Sequence, residues 1–127
     1  MGYMNNMTRI IIAGGRDFSN VMLFRSTIRK YLLDIKDEIE IVSGGCSGAD
    51  TMGEWFAEDN NLKLTVFEAE WDKYGRAAGP IRNLKMAKYA AESDRGILIA
   101  FPIGKSPGTR NMIKLAKQFD LEVHIEE

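Results

Sequence analysis

The sequence predicts an α/β fold: a Rossmann-like, three-layer αβα domain built on a five-stranded parallel sheet. Three observations predict it. Five short β-rich runs alternate with four amphipathic stretches. The runs at 10–12 (Ile-Ile-Ile) and 97–100 (Ile-Leu-Ile-Ala) are apolar on both faces, as in strands covered on both sides. Glycine-rich turns follow the first two runs directly. Right-handed crossovers leave few topologies, and the order expected for this class is 3-2-1-4-5.

Each element has a local reason. Residues 7–13 form the first strand, bounded by Gly14 and Gly15. Residues 20–35 form the first helix: Val21, Phe24, Ile28, Tyr31, Leu32 and Ile35 recur at three- and four-residue steps, and Ser19 or Asn20 caps it. Residues 39–42 make the second strand, 48–60 the second helix and 62–67 the third strand. Residues 70–79 read as a long loop. Pro80 suits the first turn of a third helix ending near 91, with Ile81, Leu84, Ala87 and Ala91 as its apolar stripe. Residues 96–101 form the fourth strand. Ser106 and Pro107 read as cap and first residue of a fourth helix, ending near 119. Residues 121–125 close the sheet. The length of 127 residues suits a single domain over 1–127, with 1–6 as a polar leader.

Composition excludes several classes. Net charge is −1, so no bulk attraction draws the chain to DNA or membranes. One cysteine, Cys46, cannot make an internal disulfide, and one histidine, His124, leaves no zinc-ligand set. No metal and no cofactor are expected. No signal or membrane-spanning run is visible, and a cytoplasmic protein is the expectation. The seven methionines read as core filler, and Trp55 as a core or interface residue.

Ligands of such sheets bind beyond the carboxyl ends of the strands. The residues that follow the strands share one chemistry. After the first come Gly14, Gly15, Arg16, Asp17 and Phe18. After the second come Ser43, Gly44, Gly45, Cys46, Ser47, Gly48, Ala49 and Asp50. After the third come Trp71, Tyr74, Arg76, Arg82 and Asn83. After the fourth come Ser106, Gly108, Thr109 and Arg110. Glycine lets backbone approach a ligand, arginine supplies planar bidentate donors, and a helix start presents free N–H groups to an anion. These positions are candidate phosphate and ligand contacts. Phe18, Trp71 and Tyr74 are candidates to stack a base. Asp17, Asp50 and Arg82 are the candidate catalytic groups, with Glu68 as a further carboxylate. No Walker loop and no Gly-x-Gly-x-x-Gly fingerprint is present. Cys46 reads as a packing residue.

Four blocks carry a resemblance: Gly14 to Phe18, Ser43 to Asp50, Trp71 with Tyr74 to Asn83, and Pro107-Gly108-Thr109. In this order they resemble the SLOG superfamily, and within it the small YspA-type branch found in bacteria and phages. The resemblance covers residues 10 to about 116. It implies a Rossmann-like domain that binds nucleotides or nucleotide-derived, ADP-ribose-like signals. Relatives include the "lonely guy" phosphoribohydrolases and DNA-processing proteins, and relatives form dimers or larger homo-oligomers. The hydrolase branch resembles Pro-Gly-Gly-x-Gly-Thr-x-x-Glu, and Met112 stands here where that Glu would be.

The leading expectation is therefore a binder of a nucleotide-like small molecule, for sensing, sequestration or regulation. Catalysis as a nucleoside-5′-monophosphate N-glycosidase or phosphoribohydrolase is the alternative. Single-stranded nucleic-acid binding is a second alternative, with nucleic acid the less favoured partner. A homodimer or higher homo-oligomer is expected.

Overall fold

In a computed structural model, residues 6–127 are described. Five parallel strands lie in the order β3-β2-β1-β4-β5. They are β1 (Met7–Gly14), β2 (Glu38–Ser43), β3 (Lys63–Val66), β4 (Arg95–Phe101) and β5 (Glu122–Ile125). The helices are α1 (Val21–Leu32), α2 (Ala49–Asp59), α3 (Trp71–Tyr74), α4 (Ala78–Ala91) and α5 (Pro107–Gln118), with a 3-10 turn at Gly75–Ala77. The sheet order is the one expected from the sequence. Most of the leader at 1–6 lies outside the described residues; the Asn6 carbonyl accepts the Glu38 N–H at 3.0 Å.

Strand alternation divides the core into two layers. Ile11, Ala13, Val42, Leu98 and Ala100 pack with α4 and α5 residues such as Met86, Ala90, Met112 and Ala116. Ile10, Ile12, Ile41, Ile97, Ile99 and Phe101 pack on the other face with Phe24, Ile28 and Ala57 of α1 and α2. All six strand residues of the second set are 1% exposed or less. The central strands are buried on both faces, which is why they read as continuous apolar runs.

Four local expectations change. Helix α1 stops at Leu32, three residues early, and Leu33 is 77% exposed. Ile35 still packs on the core, from a turn whose N–H reaches the Leu32 carbonyl; its apolar character reported burial, not helicity. The stretch 70–79 is not a loop. The Glu70 carbonyl accepts the N–H groups of Lys73 and Tyr74, and α4 opens at Ala78. Pro80 sits within its first turn, where no intrahelical donor is needed. Ser106 holds the cap position of α5, but with φ +36° and no side-chain bond to the helix. Its hydroxyl instead accepts the Ile103 N–H at 2.7 Å and donates to the Ile103 carbonyl. Asn20 is the cap of α1, accepting the Leu23 N–H at 3.0 Å. Of the methionines, Met86 and Met112 are core, whereas Met22 is 78% exposed.

Candidate functional site

The loops after β1, β2 and β4 and the start of α4 converge on a cavity of about 570 Å³ at the carboxyl ends of the strands. That volume suits a small organic ligand. Gly14, Gly15, Arg16 and Asp17 line it from the β1 side, and Cys46 and Asp50 from the β2 side. Trp71, Arg76, Gly79, Pro80, Arg82, Asn83 and Met86 come from the α3–α4 segment. Ile103, Ser106, Pro107, Gly108, Thr109, Asn111 and Met112 complete it from β4 and α5.

The loop after β2 is built around Asp50. Ser43 donates to Glu54 Oε2 at 2.6 Å and accepts the Gly45 N–H at 3.1 Å. Asp50 Oδ2 accepts the Cys46 N–H at 3.3 Å. Asp50 is 5% exposed. Burial pushes its carboxyl up to about 6; the N–H groups of Cys46 and Gly44 and the Arg82 charge oppose this, and Glu54 adds to it. Thus an acid with a pKa near neutral faces the cavity.

Arg82 is held from three sides. It donates to the Gly44 carbonyl and to Asn83 Oδ1, the latter at 2.9 Å, and its two terminal nitrogens each lie 3.9 Å from Cys46 Sγ. A side chain at Gly44 would displace the Arg82 and Asp50 head groups. A Cβ would stand 2.8 Å from Arg82 Nη1 and 2.9 Å from Asp50 Oδ2. Gly48, with φ +79°, lets the β1–α1 loop rest on the start of α2; a Cβ there would run into the Gly15 carbonyl. Ser47 reinforces that contact by donating to the Arg16 carbonyl at 3.1 Å.

Asn83, 4% exposed, joins the starts of α4 and α5. Its amide donates to the Gly108 carbonyl at 3.2 Å and to Asn111 Oδ1 at 2.9 Å. Its hydrogen bonds are therefore spent on the protein. Thr109 is different: it is 6% exposed and lines the cavity, and its hydroxyl has no partner among the described residues. Helix geometry also leaves the N–H groups of Gly108 and Thr109 without intrahelical acceptors. Arg16 lies 5.9 Å from the Trp71 ring centroid, close enough for a cation–π contact.

Some candidates lie elsewhere. Phe18 is buried against Phe101, ring centroids 4.8 Å apart, so its ring packs the core. Arg110 turns back to the Lys105 and Gly104 carbonyls at 2.9 and 3.2 Å. Tyr74, Ser43, Gly44, Gly45, Ser47 and Gly48 do not line the cavity, although the last five shape its wall. Met86 and Asn111 line it without having been singled out. Each lies three residues after a candidate, Asn83 and Gly108, so helical spacing was the available signal. His124 stacks on Tyr31 at 3.9 Å, away from the cavity.

A second polar centre lies at the opposite ends of the strands. Glu40, fully buried in β2, receives Arg9 at 3.1 Å, Lys63 at 3.6 Å, Thr65 Oγ1 at 2.6 Å and the Tyr89 hydroxyl. Burial raises its pKa, but the hydrogen bonds from Thr65, Tyr89 and Arg9 and the Lys63 charge outweigh that and leave it below the usual 4.5. Alternation in β2 gave no sign that a carboxylate would face inward.

Among the described residues no helix is long and apolar enough to cross a membrane. Comparison with known proteins places these observations in a family. Residues 8–74 match the model of the YspA, cpYpsA-related SLOG family. The chain is 29% identical over 126 residues to the Gene 61 protein of Mycobacterium phage D29, covering 92% of this chain and 94% of that protein. Its fold matches the X-ray structure of DNA processing protein A (DprA) from Streptococcus pneumoniae, with a TM-score of 0.69 at 19% identity. The match covers 94% of this chain and 50% of that one, so the chain spans about half the length of that protein.

Proposed function

The chain belongs to the YspA, cpYpsA-related SLOG family, and from that premise we propose that it binds a nucleotide or a nucleotide-derived, ADP-ribose-like signal in the cavity at the strand ends. Membership suggests nucleotide-related binding in general. The finer reading is carried by one observation: three arginines, the start of α5 and the Thr109 hydroxyl, which has no partner among the described residues, border the same 570 Å³ space. Phosphate oxygens accept from the Gly108 and Thr109 N–H groups and the Thr109 hydroxyl, with Arg16 and Arg76 balancing their charge. Asp50 takes ribose hydroxyls, steadied by Arg82. Trp71 offers an aromatic face to the base. The role is sensing, sequestration or regulation.

A thermal-shift screen of nucleoside mono- and diphosphates, ADP-ribose and its cyclic forms tests this. A bound ligand at a hundredfold excess over its dissociation constant adds about 2.7 kcal/mol of stability. No shift with any of them overturns the reading. Affinity that rises with oligonucleotide length and falls steeply with salt favours single-stranded nucleic acid instead.

A second reading has an observation of its own. Asp50 is a cavity carboxyl with a pKa of about 6, suited to proton transfer near neutral pH. It is a carboxylate available to an N-glycosidase, where Met112 cannot serve. Water would cleave the bond between C1′ and the base nitrogen. Release of free base from nucleoside monophosphates, lost in Asp50→Asn, would establish it; binding without turnover leaves the first reading standing.

A further inference from the structure

The two helical layers differ in what they show to solvent. Eight large apolar side chains are exposed among the described residues. Four of them, Val21, Met22, Leu33 and Trp55, lie on α1 and α2 or at the end of α1, and none lies on α4 or α5. Between α1 and α2 runs a cleft of about 740 Å³, floored by Phe24, Ile28, Met52 and Phe56. Trp55, 59% exposed, stands on its wall. A contiguous apolar surface of this kind marks an interaction site.

Charge identifies the occupant. Every charged residue of α1 is basic: Arg25, Arg29 and Lys30. Every charged residue of α2 is acidic, and Glu58 and Asp59 are its exposed acids, since Asp50 lines the strand-end cavity and Glu54 accepts Ser43. Arg25 and Arg29 line one wall of the cleft and Asp59 the other. Yet none of these three makes an ion pair among the described residues, so the opposite charges of the two walls do not satisfy each other. A surface with a basic half and an acidic half is complementary to itself after a twofold rotation.

We propose that the α1–α2 face is a self-association surface, on which a second copy of this chain docks about a twofold axis. Basic α1 of each copy lies against acidic α2 of the other, Arg29 facing the partner's Asp59. Each Trp55 enters the other copy's cleft and serves as the buried aromatic anchor of the interface. The inference is independent of any ligand.

Sedimentation equilibrium on the unliganded chain tests it. The wild type is expected to dimerise. Trp55→Ala is expected to weaken the dimer about thirtyfold or more, as loss of a central aromatic anchor does. Arg29→Asp and Asp59→Arg each place like charges across both contacts and are expected to be monomeric alone. Mixed in equal amounts they are expected to form a heterodimer, because both contacts become attractive, and the double variant Arg29→Asp/Asp59→Arg is expected to dimerise again. These side chains have no partner within the monomer, so circular dichroism is expected to show unchanged folding. A wild type that stays monomeric at millimolar concentration overturns the proposal. So does a dimer that the single variants leave intact, or single variants that fail to pair when mixed.

Discussion

Asp50 is a buried acid at the cavity whose burial weakens folding once it ionises. Its pKa is raised from 3.8 to about 6, so the folded state holds the proton more tightly than the unfolded chain. Stability from this group is full below the unfolded value and falls as pH rises through 6, by about 3 kcal/mol in all. Urea unfolding at pH 4.5 and 7.5 is expected to show this fall in the wild type, and Asp50→Asn is expected to abolish it. The same variant is expected to lose ligand affinity if Asp50 holds the ribose. A variant with an unchanged pH profile would mean the carboxyl is not buried as described. Gly44→Ala is expected to cost about 1–3 kcal/mol by overpacking against Arg82 and Asp50, read as a lower denaturation midpoint. Asp50 was legible in the sequence as a carboxylate at the start of the second helix but not as a perturbed one. Its neighbours include Cys46, Gly44 and Arg82, and Arg82 comes from a separate helix, α4. Phe18 was read as a ligand-facing ring, because a residue after a strand end points inward or outward according to a turn that sequence spacing does not record.

Two helices, α4 and α5, share the work of the site through Asn83. The stripe read for α4 shares only Ala87 with its buried face, which is Ala78, Gly79, Asn83, Met86, Ala87 and Ala90, and Ala91 is exposed; Pro107 at the first position of α5 was legible. The early start of α4 was not. Gly75 and Gly79 read as loop signals, yet Gly79 sits buried inside the helix, with the Trp71 ring 3.5 Å from where its Cβ would be. Removing the tie with Asn83→Ala is expected to lower stability by roughly 1–3 kcal/mol, since it strips the Arg82 Nε–H and the Asn111 amide oxygen of a partner. At the start of α5, Thr109→Val keeps the shape and removes a hydroxyl that the free protein leaves unpaired. Free-protein stability is expected to stay within about 0.5 kcal/mol, while nucleotide affinity drops about tenfold. Calorimetric titration beside a melting curve separates the two effects. Equal affinity would remove Thr109 from the phosphate site.

Among the described residues two carboxylates are buried, Asp50 and Glu40, at opposite ends of the sheet and with opposite pKa shifts. Glu40 sits below its usual range, so its contribution is full above 4.5 and is lost as pH falls through its lowered value. Glu40→Leu is expected to destabilise at pH 7 by about 3–5 kcal/mol, because Arg9 keeps the Tyr89 carbonyl but loses its carboxylate partner in a partly buried position; the difference should shrink in acid, as chemical denaturation at pH 3 would show. Sheet order and layering were the most legible features, since five apolar runs and their crossovers leave few arrangements. The inward carboxylate was the least legible, because only tertiary neighbours from β1, β3 and α4 make it tolerable. The wedge at Gly48 has one more consequence, for how such a protein can change. The β1–α1 loop rests on the α2 start, Arg82 locks the β2–α2 loop, and Asn83 fastens α5. Lengthening any one of these segments would shift its neighbours. The cavity lining is therefore expected to tolerate exchange of side chains at fixed backbone positions, such as 16, 71, 76 and 112, better than insertion of residues.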